Sequence, residues 1–432
     1  MKKILFLDAY FHPEIIAYTH LEKDIISGLL EKFKVSVICP TPTRGITDET
    51  AREYAKIKKE TLPDGVEIKR FSCPREGSNP LIRAFRYFWC GARHCAVGKK
   101  ETDADAVFAV STPPTQGAVA AMVAKRLSKK KGARVSFIYN RQDIFPDSLV
   151  TTGLAREGSV LWKLGRKLED YTYKNADKII VISEGFKKNI MKKGVPEEKI
   201  TVVSNWIDTD AVRPVPRSEN TVFDEFSIPR DRFTVVYAGN FGAAQGADVV
   251  IEAAERLAER RDIQFVIFGG GSEFESVRAS VEEKKLSNVF IHGLLPQNRV
   301  PEVYSAGDVA LITCKKGVGG SGMPSKTWSI MACGTPIIAA FDTDSELAET
   351  ITQAGAGISV EPEDAELLAS AILRMAEGEA ERYSGGREYA IEHASREKCV
   401  RKYVEAFEIG DRVDNRQKKA VGTESYIDDP TV

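Results

Sequence analysis

The sequence predicts an α/β protein of two domains, each built on a doubly wound parallel sheet. Three observations carry that expectation. Short apolar runs of strand length alternate with helical periodicities along most of the chain, the pattern of parallel strands joined by crossover helices. The alternation begins afresh at Phe233, after a proline-rich polar stretch, and 432 residues are more than one core comfortably serves. Charge divides near the same place: residues 1–200 hold 36 Lys and Arg against 24 Asp and Glu, a net of +12, whereas 201–432 carry a net of −13.

In the first half, strands are expected at 3–7, 35–39, 66–70, 106–109, 135–139, 178–182 and 200–203. A helix over 20–33 places Leu21, Ile25, Leu29 and Leu30 at helical spacing. Pro214, Pro216 and Pro229 among polar residues mark 209–232 as a linker. The second series of strands falls at 233–237, 263–268, 289–293, 309–312, 335–339 and 357–360, with helices over 247–260 and 273–285. The expected organisation is a first domain at 1–208, the linker, a second domain at 233–386 and a helix at 387–410 returning toward the first domain. The tail 411–432 is polar and aperiodic, so disorder is expected there. Two such domains facing each other hold ligands at the carboxyl ends of their strands.

The opening apolar run of four residues ends at Asp8 and reads as a strand, not a signal segment. No window approaches the ~18 apolar residues of a spanning helix. Seven cysteines, with no Cys-x-x-Cys, read as reduced thiols of a cytoplasmic protein. A basic first half suits an anionic partner such as a lipid phosphate or membrane surface, or simply helps two oppositely charged domains face each other.

The most informative stretch runs from Gly319 to Ala340. Gly319, Gly320 and Gly322 allow close backbone approach to a ligand, and Pro324 suits a first helical turn. Ser325 and Lys326 then sit where an anion is attracted, and 337–340 form a buried parallel strand. A second glycine-punctuated exit lies at Gly239-Asn240-Phe241-Gly242, with Gln245 shortly after; a third is Gly269-Gly270-Gly271. Ser272 suits an N-cap after that third turn. Asp342-Thr343-Asp344 imitates a metal-binding Asp-x-Asp, but helix capping by Asp344 and Ser345 is the expected role. No metal or cofactor is expected.

These segments together resemble glycosyltransferases of family 4 with the GT-B fold, over roughly residues 4–407. That family shows Pro-Ser-Lys, a Glu three residues on, and Met-Ala-x-Gly-x-Pro-Val-Ile. Here Ser329 stands at the Glu position and Ser321 at its acidic partner, a variant resembling a subgroup of bacterial polysaccharide transferases. The resemblance implies two facing Rossmann-like domains with a nucleotide-sugar donor in the second. It assigns Gly239, Asn240, Phe241, Gly242, Gln245, Gly269, Gly270, Gly271, Ser321, Gly322, Pro324, Ser325 and Lys326 to the donor. Gly293, Leu294 and Leu295 would line the base pocket and Ser329 would meet the ribose. The family usually has Arg or Lys at Asn240 and Gln245, so Lys326 is left with most of the diphosphate charge.

On the acceptor side, Tyr10 and His12 follow the first strand and Glu184 opens a helix near the domain junction. Tyr139 to Asp147 leaves a central strand with polar groups, the usual setting for proton transfer. Asp143 is expected to act on the acceptor hydroxyl and Arg141 to contact an anion; a structural carboxylate is the other reading of Asp143. Leu81, Phe85, Phe88, Trp89 and Ala92 share one face of a helix, with Arg83, Arg86 and Arg93 opposite. Packing against the sheet is expected to bury most of those rings, although such a helix can also rest on an anionic bilayer. The resemblance implies transfer of a sugar, with retention, from a UDP-sugar to a lipid-linked or other saccharide acceptor, with no nucleic-acid partner. Two alternatives stay open: a sugar-nucleotide epimerase of the same fold, and a non-catalytic sugar-nucleotide-binding subunit.

Overall fold

The computed structural model describes residues 1–14, 18–75, 80–151, 155–319 and 323–421. The chain divides into two compact units, 1–204 with 400–432, and 205–399.

The first unit carries eight strands: β1 (Lys3–Leu7), β2 (Lys34–Pro40), β3 (Lys59–Thr61), β4 (Glu67–Phe71), β5 (Ala106–Val110), β6 (Ser136–Arg141), β7 (Lys178–Val181) and β8 (Ile200–Val202). They lie in the order β3-β4-β2-β1-β5-β6-β7-β8, parallel except for β3. The sequence reading missed β3 because its three residues, Lys59-Glu60-Thr61, are polar and at most half buried on a sheet edge. The strand order reverses direction around β1, which puts the unit's natural ligand crevice beyond the carboxyl ends of β1 and β5.

One orientation is the reverse of the sequence expectation. The helix Pro80–Gly98 turns Arg86, Cys90 and His94 inward and leaves Phe85, Phe88 and Trp89 exposed. The small residues explain it. A Cβ at Gly91 or Gly98 would come within 2.9–3.0 Å of Val119 or Val123, so this face approaches the helix Gln116–Lys131 more closely than aromatic rings allow. Arg86 Nη1 donates to Pro74 O and its guanidinium lies 5.5 Å from the Tyr10 ring centre, while its buried Nη2 has no hydrogen-bond partner among the described residues. His94 Nε2 pairs with Ile38 O at 3.0 Å, and burial lowers its pKa to about 4, so the ring stays neutral. The side chain of Leu81 lies outside the described residues.

The second unit carries β9 (Phe233–Asn240), β10 (Ile263–Gly270), β11 (Val289–Gly293), β12 (Val309–Thr313), β13 (Ile337–Ala340) and β14 (Gly357–Val360). All six are parallel, in the order β11-β10-β9-β12-β13-β14. Separate apolar layers cover the two faces, one around Ile330 and Ile351, the other around Phe241 and Ile372. The order reverses between β9 and β12, so the switch-point crevice opens where Gly239 and the segment leading to Lys326 emerge.

The proline-rich stretch 209–232 is not a free linker. Val222 and Phe223 are 0 and 1% exposed in the core of the second unit. Arg217 clamps the segment, pairing with both Asp308 oxygens at 3.0–3.1 Å and donating to Arg232 O and Thr234 Oγ1. Two buried apolar side chains among prolines outweigh local turn chemistry, at roughly 1.5–3 kcal/mol each. The helix expected at 387–410 is two helices, Gly386–Ala394 and Arg396–Val421, broken at Ser395, which bridges to Ile207. The backbone stays helical to Val421, within the tail expected to be disordered. From Val400 that helix belongs to the first unit, where the Phe407 ring meets Phe33 and Phe108. Among the described residues, no helix is long and apolar enough to cross a membrane.

Candidate active site

At the carboxyl end of the second sheet, Gly239, Gly269 and Gly293 lie abreast on β9, β10 and β11. Glycine at these three positions keeps the floor low: the Phe241 ring fills the space over Gly269, Lys326 approaches Gly239 and nothing lies over Gly293, with Leu294 exposed and Leu295 half-buried at the margin. The sequence reading singled out each glycine but not their register, which only the pairing reveals.

Lys326 stands beside this floor. It opens the helix Lys326–Ala332, and its Nζ lies 4.3 Å from the centre of the Tyr237 ring on β9. A Cβ at Gly239 would be 3.0 Å from Nζ, and Gly239 has φ +139°, so this position requires glycine on two counts. The side chain keeps some solvent contact, yet protein surrounds it densely, as for a group at the base of a concavity. Desolvation lowers its pKa to about 8, and among the described residues no carboxylate pairs with it. A desolvated cation without a counter-ion is costly in isolation and is suited to an arriving anion.

The loop leading to Lys326 is anchored by Asp342, at the end of β13. Its two carboxylate oxygens accept the amides of Gly317 at 2.9 Å and Gly319 at 2.7 Å. Glu363 accepts the Lys316 amide, and Lys315 N donates to Ala244 O, which ties this loop to the one after β9. Asp342 therefore holds backbone, and Ser345 caps the next helix by accepting from Ala348 N. Ser321 and Gly322 lie outside the described residues. Asp342→Ala is expected to release the Gly317 and Gly319 amides and lower stability by roughly 1–3 kcal/mol; hydrogen exchange of this loop with thermal unfolding checks it.

Several donor-side assignments occupy structural positions. Phe241 is fully buried against Tyr237 and Phe274, and its amide donates to Gly270 O at 2.6 Å. The Gly242 amide donates to Gln245 Oε1, which also receives Asn240 Nδ2. These two amides, expected to face a diphosphate, are thus already engaged, because the loop satisfies its own donors. Gly269 makes room for the Phe241 ring, and Gly271 (φ +118°) for Asn240 and Phe241 backbone. Gly270 borders Leu294. Pro324 and Ser329 are half-buried beside Lys326 and Ser325 is exposed.

In the first unit, Asp143 is exposed just past β6, with no ion pair among the described residues. Arg141, expected as an anion contact, is instead spent in the core. It is 1% exposed and ion-paired with Glu169, which also takes Arg166, Lys193 at 3.2 Å and the Tyr173 hydroxyl at 2.5 Å. Arg141 Nη2 adds a bond to Phe145 O. Tyr10 is buried with Arg44 and Arg86 near its ring, and His12 is exposed near the Tyr54 hydroxyl. Glu184 is exposed in the first turn of its helix after β7, three strands from β1, about 14 Å away. These acceptor-side residues share one sheet edge and do not converge.

The sequence reading missed a buried acid pair there. Asp8, ending β1, and Glu22, one turn into the helix Thr19–Leu30, are 3 and 1% exposed. Burial pushes both carboxyls up, Asp8 to about 7. Tyr18 lies alongside, accepting from Asn140 Nδ2 at 2.9 Å. Only Asp8 closing an apolar strand signalled it in the sequence.

Residues 23–211 match the model of Glycosyltransferase Family 4, and 218–393 match that of Glycosyl transferases group 1. The two matches together span most of the chain, one largely on each unit, so each unit is similar to a domain of known glycosyltransferases. WbjE of Pseudomonas aeruginosa, named as a glycosyltransferase, is 29% identical over 235 residues, 54% of this chain and 58% of that protein. WcaI of Escherichia coli K12, named as a colanic acid biosynthesis glycosyl transferase, is 28% identical over 282 residues, 64% of this chain and 68% of that one. The chain thus spans well under two thirds of WbjE. Among solved structures, HepE of Anabaena in complex with UDP superposes with TM-score 0.66 at 16% identity, covering 94% of this chain and all of that one. Sucrose-phosphate synthase of Thermosynechococcus elongatus gives 0.65 at 17% identity, over 98 and 100%. The fold is GT-B, two Rossmann-like α/β units.

Proposed function

We propose that the protein transfers a sugar from a nucleotide-sugar donor, UDP-linked, to a hydroxyl of a lipid-linked saccharide in bacterial polysaccharide biosynthesis, with retention of configuration. The observation that carries this reading is Lys326, a desolvated cation with no carboxylate partner among the described residues, set beside the aligned glycines Gly239, Gly269 and Gly293 near the carboxyl ends of three strands. The relative named for colanic acid biosynthesis and the UDP bound to HepE support the choice of donor and pathway class.

In the proposed reaction the bond between the sugar's anomeric carbon and the diphosphate oxygen breaks, and its electron pair leaves with UDP. The acceptor oxygen forms the new glycosidic bond and gives up its proton, for which Asp143 is the nominated base. Lys326 meets the growing negative charge on the diphosphate. A carboxylate exposed and unpaired at a strand end has the access such proton transfer needs, whereas Arg141 does not.

The test uses radiolabelled UDP-sugars with a membrane extract containing lipid-linked saccharides. Label should pass to lipid, and UDP should raise the melting temperature, because a ligand bound only by the native state stabilises it. A new sugar nucleotide formed without acceptor would establish the epimerase reading instead. UDP binding with no transfer from any donor would establish a non-catalytic subunit.

A further inference from the structure

We propose that the first unit docks on an anionic lipid bilayer through a rim made by the N-terminal halves of two helices, Pro80–Gly98 and Val160–Asn175. On the first, Phe85, Phe88 and Trp89 are 54, 74 and 40% exposed, and Ile82 46%. On the second, Val160, Leu161 and Leu164 are 77, 51 and 59% exposed. Single exposed apolar residues are ordinary, but seven gathered on the N-terminal halves of two helices mark an interaction surface.

Topology puts the two sets on one rim. Both helices pack against the helix Gln116–Lys131, one on either side, over the same face of the first sheet. Each follows a parallel strand, β4 or β6, and so begins at the sheet's carboxyl edge. At 8–10 Å between neighbouring helix axes, the two helices run roughly 16–20 Å apart. The packing that turned Arg86, Cys90 and His94 inward is what leaves the aromatic face outward.

Charge selects the occupant. The helix Pro80–Gly98 contains no Asp or Glu and carries exposed Arg83 and Arg93. Lys163 and Lys167 are exposed between and beyond the apolar residues of the second helix. The whole of 1–200 carries a net charge of +12. Aromatic rings at headgroup depth with cationic side chains reaching for lipid phosphates form the pattern of a helix lying in an interface. Asp143 and His12 belong to the same carboxyl edge, so docking there would present them toward a lipid-borne acceptor. The inference rests on the first unit alone and stands apart from the transfer reaction.

Flotation of the full chain with vesicles tests it, using phosphatidylcholine mixed with phosphatidylglycerol and phosphatidylcholine alone. The protein should float with the anionic vesicles at low salt, and added salt should weaken this. The double variants F85D/F88D and L161D/L164D should each lower partition about tenfold or more, and K163E/K167E should weaken it as well. All six positions are exposed, and an unchanged cooperative thermal unfolding transition shows that each variant is folded. Absence of the wild type from the anionic vesicles would overturn the proposal, as would variants that float like the wild type. A dimer in sedimentation that F85D/F88D dissolves, without vesicle binding, would assign the rim to a second copy of the chain instead.

Discussion

Lys326→Ala is expected to lower the transfer rate by about 10²-fold or more while the protein stays folded, as for loss of a preorganised charge that meets a developing oxyanion. The same substitution should stabilise the unliganded protein. The cation is desolvated, its partial exposure tempers the cost, and removing it relieves roughly 1–3 kcal/mol. Activity and stability therefore move in opposite directions, which a purely structural lysine would not show. The pH dependence follows from the sign of the shift. The folded pKa, about 8, lies below the ordinary lysine value of 10.5. The charged form is penalised fully below pH 8, and the penalty fades as pH rises toward 10.5, so apo stability gains over that window. Affinity for a diphosphate falls over the same window, because the cation that binds it is lost. Lys326→Arg should keep the charge and abolish this titration. Thermal unfolding and UDP titration from pH 7 to 10 check both trends.

Glu169→Ala is expected to be the most destabilising single change in the first unit, at about 3–5 kcal/mol. The carboxylate is shared by Arg141, Arg166 and Lys193, and Arg141 is almost wholly buried. Removing it strands a guanidinium in the core. Arg141→Met/Glu169→Leu should recover much of the loss, since a buried pair replaced by apolar groups is often near neutral. Urea unfolding of the single and double variants measures the coupling. Were Arg141 a substrate contact, Arg141→Met would instead reduce turnover without a shift in the unfolding midpoint.

The contrast between Lys326 and Arg141 shows what a linear reading can reach. Lys326 is expected at a helix start after a glycine loop, and Arg141 just beyond a buried strand. The placement of Lys326 is legible because the local pattern, glycine loop then Pro-Ser-Lys, itself encodes a turn into a helix. That of Arg141 is not, because its partner Glu169 lies 28 residues away on a helix whose packing no local pattern specifies. The helix Pro80–Gly98 makes the same point. Its amphipathicity was plain, but which face met the sheet depended on close approach at Gly91 and Gly98, a property of the neighbouring helix. The sheets themselves were readable almost strand by strand, since parallel strands covered on both faces are continuous apolar runs. The polar edge strand β3 carried no such signal, and the buried residues of 209–232 were hidden among prolines.

The central claim is that the second unit binds a nucleoside diphosphate through Lys326. Calorimetric titration of UDP into the wild type and Lys326→Ala at pH 8.5, in two buffers of different ionisation enthalpy, tests it most directly. The expected result is binding coupled to proton uptake by the wild type, with affinity at least about tenfold weaker and no proton uptake in the variant. Equal affinity in the two proteins, without proton uptake in either, would contradict it.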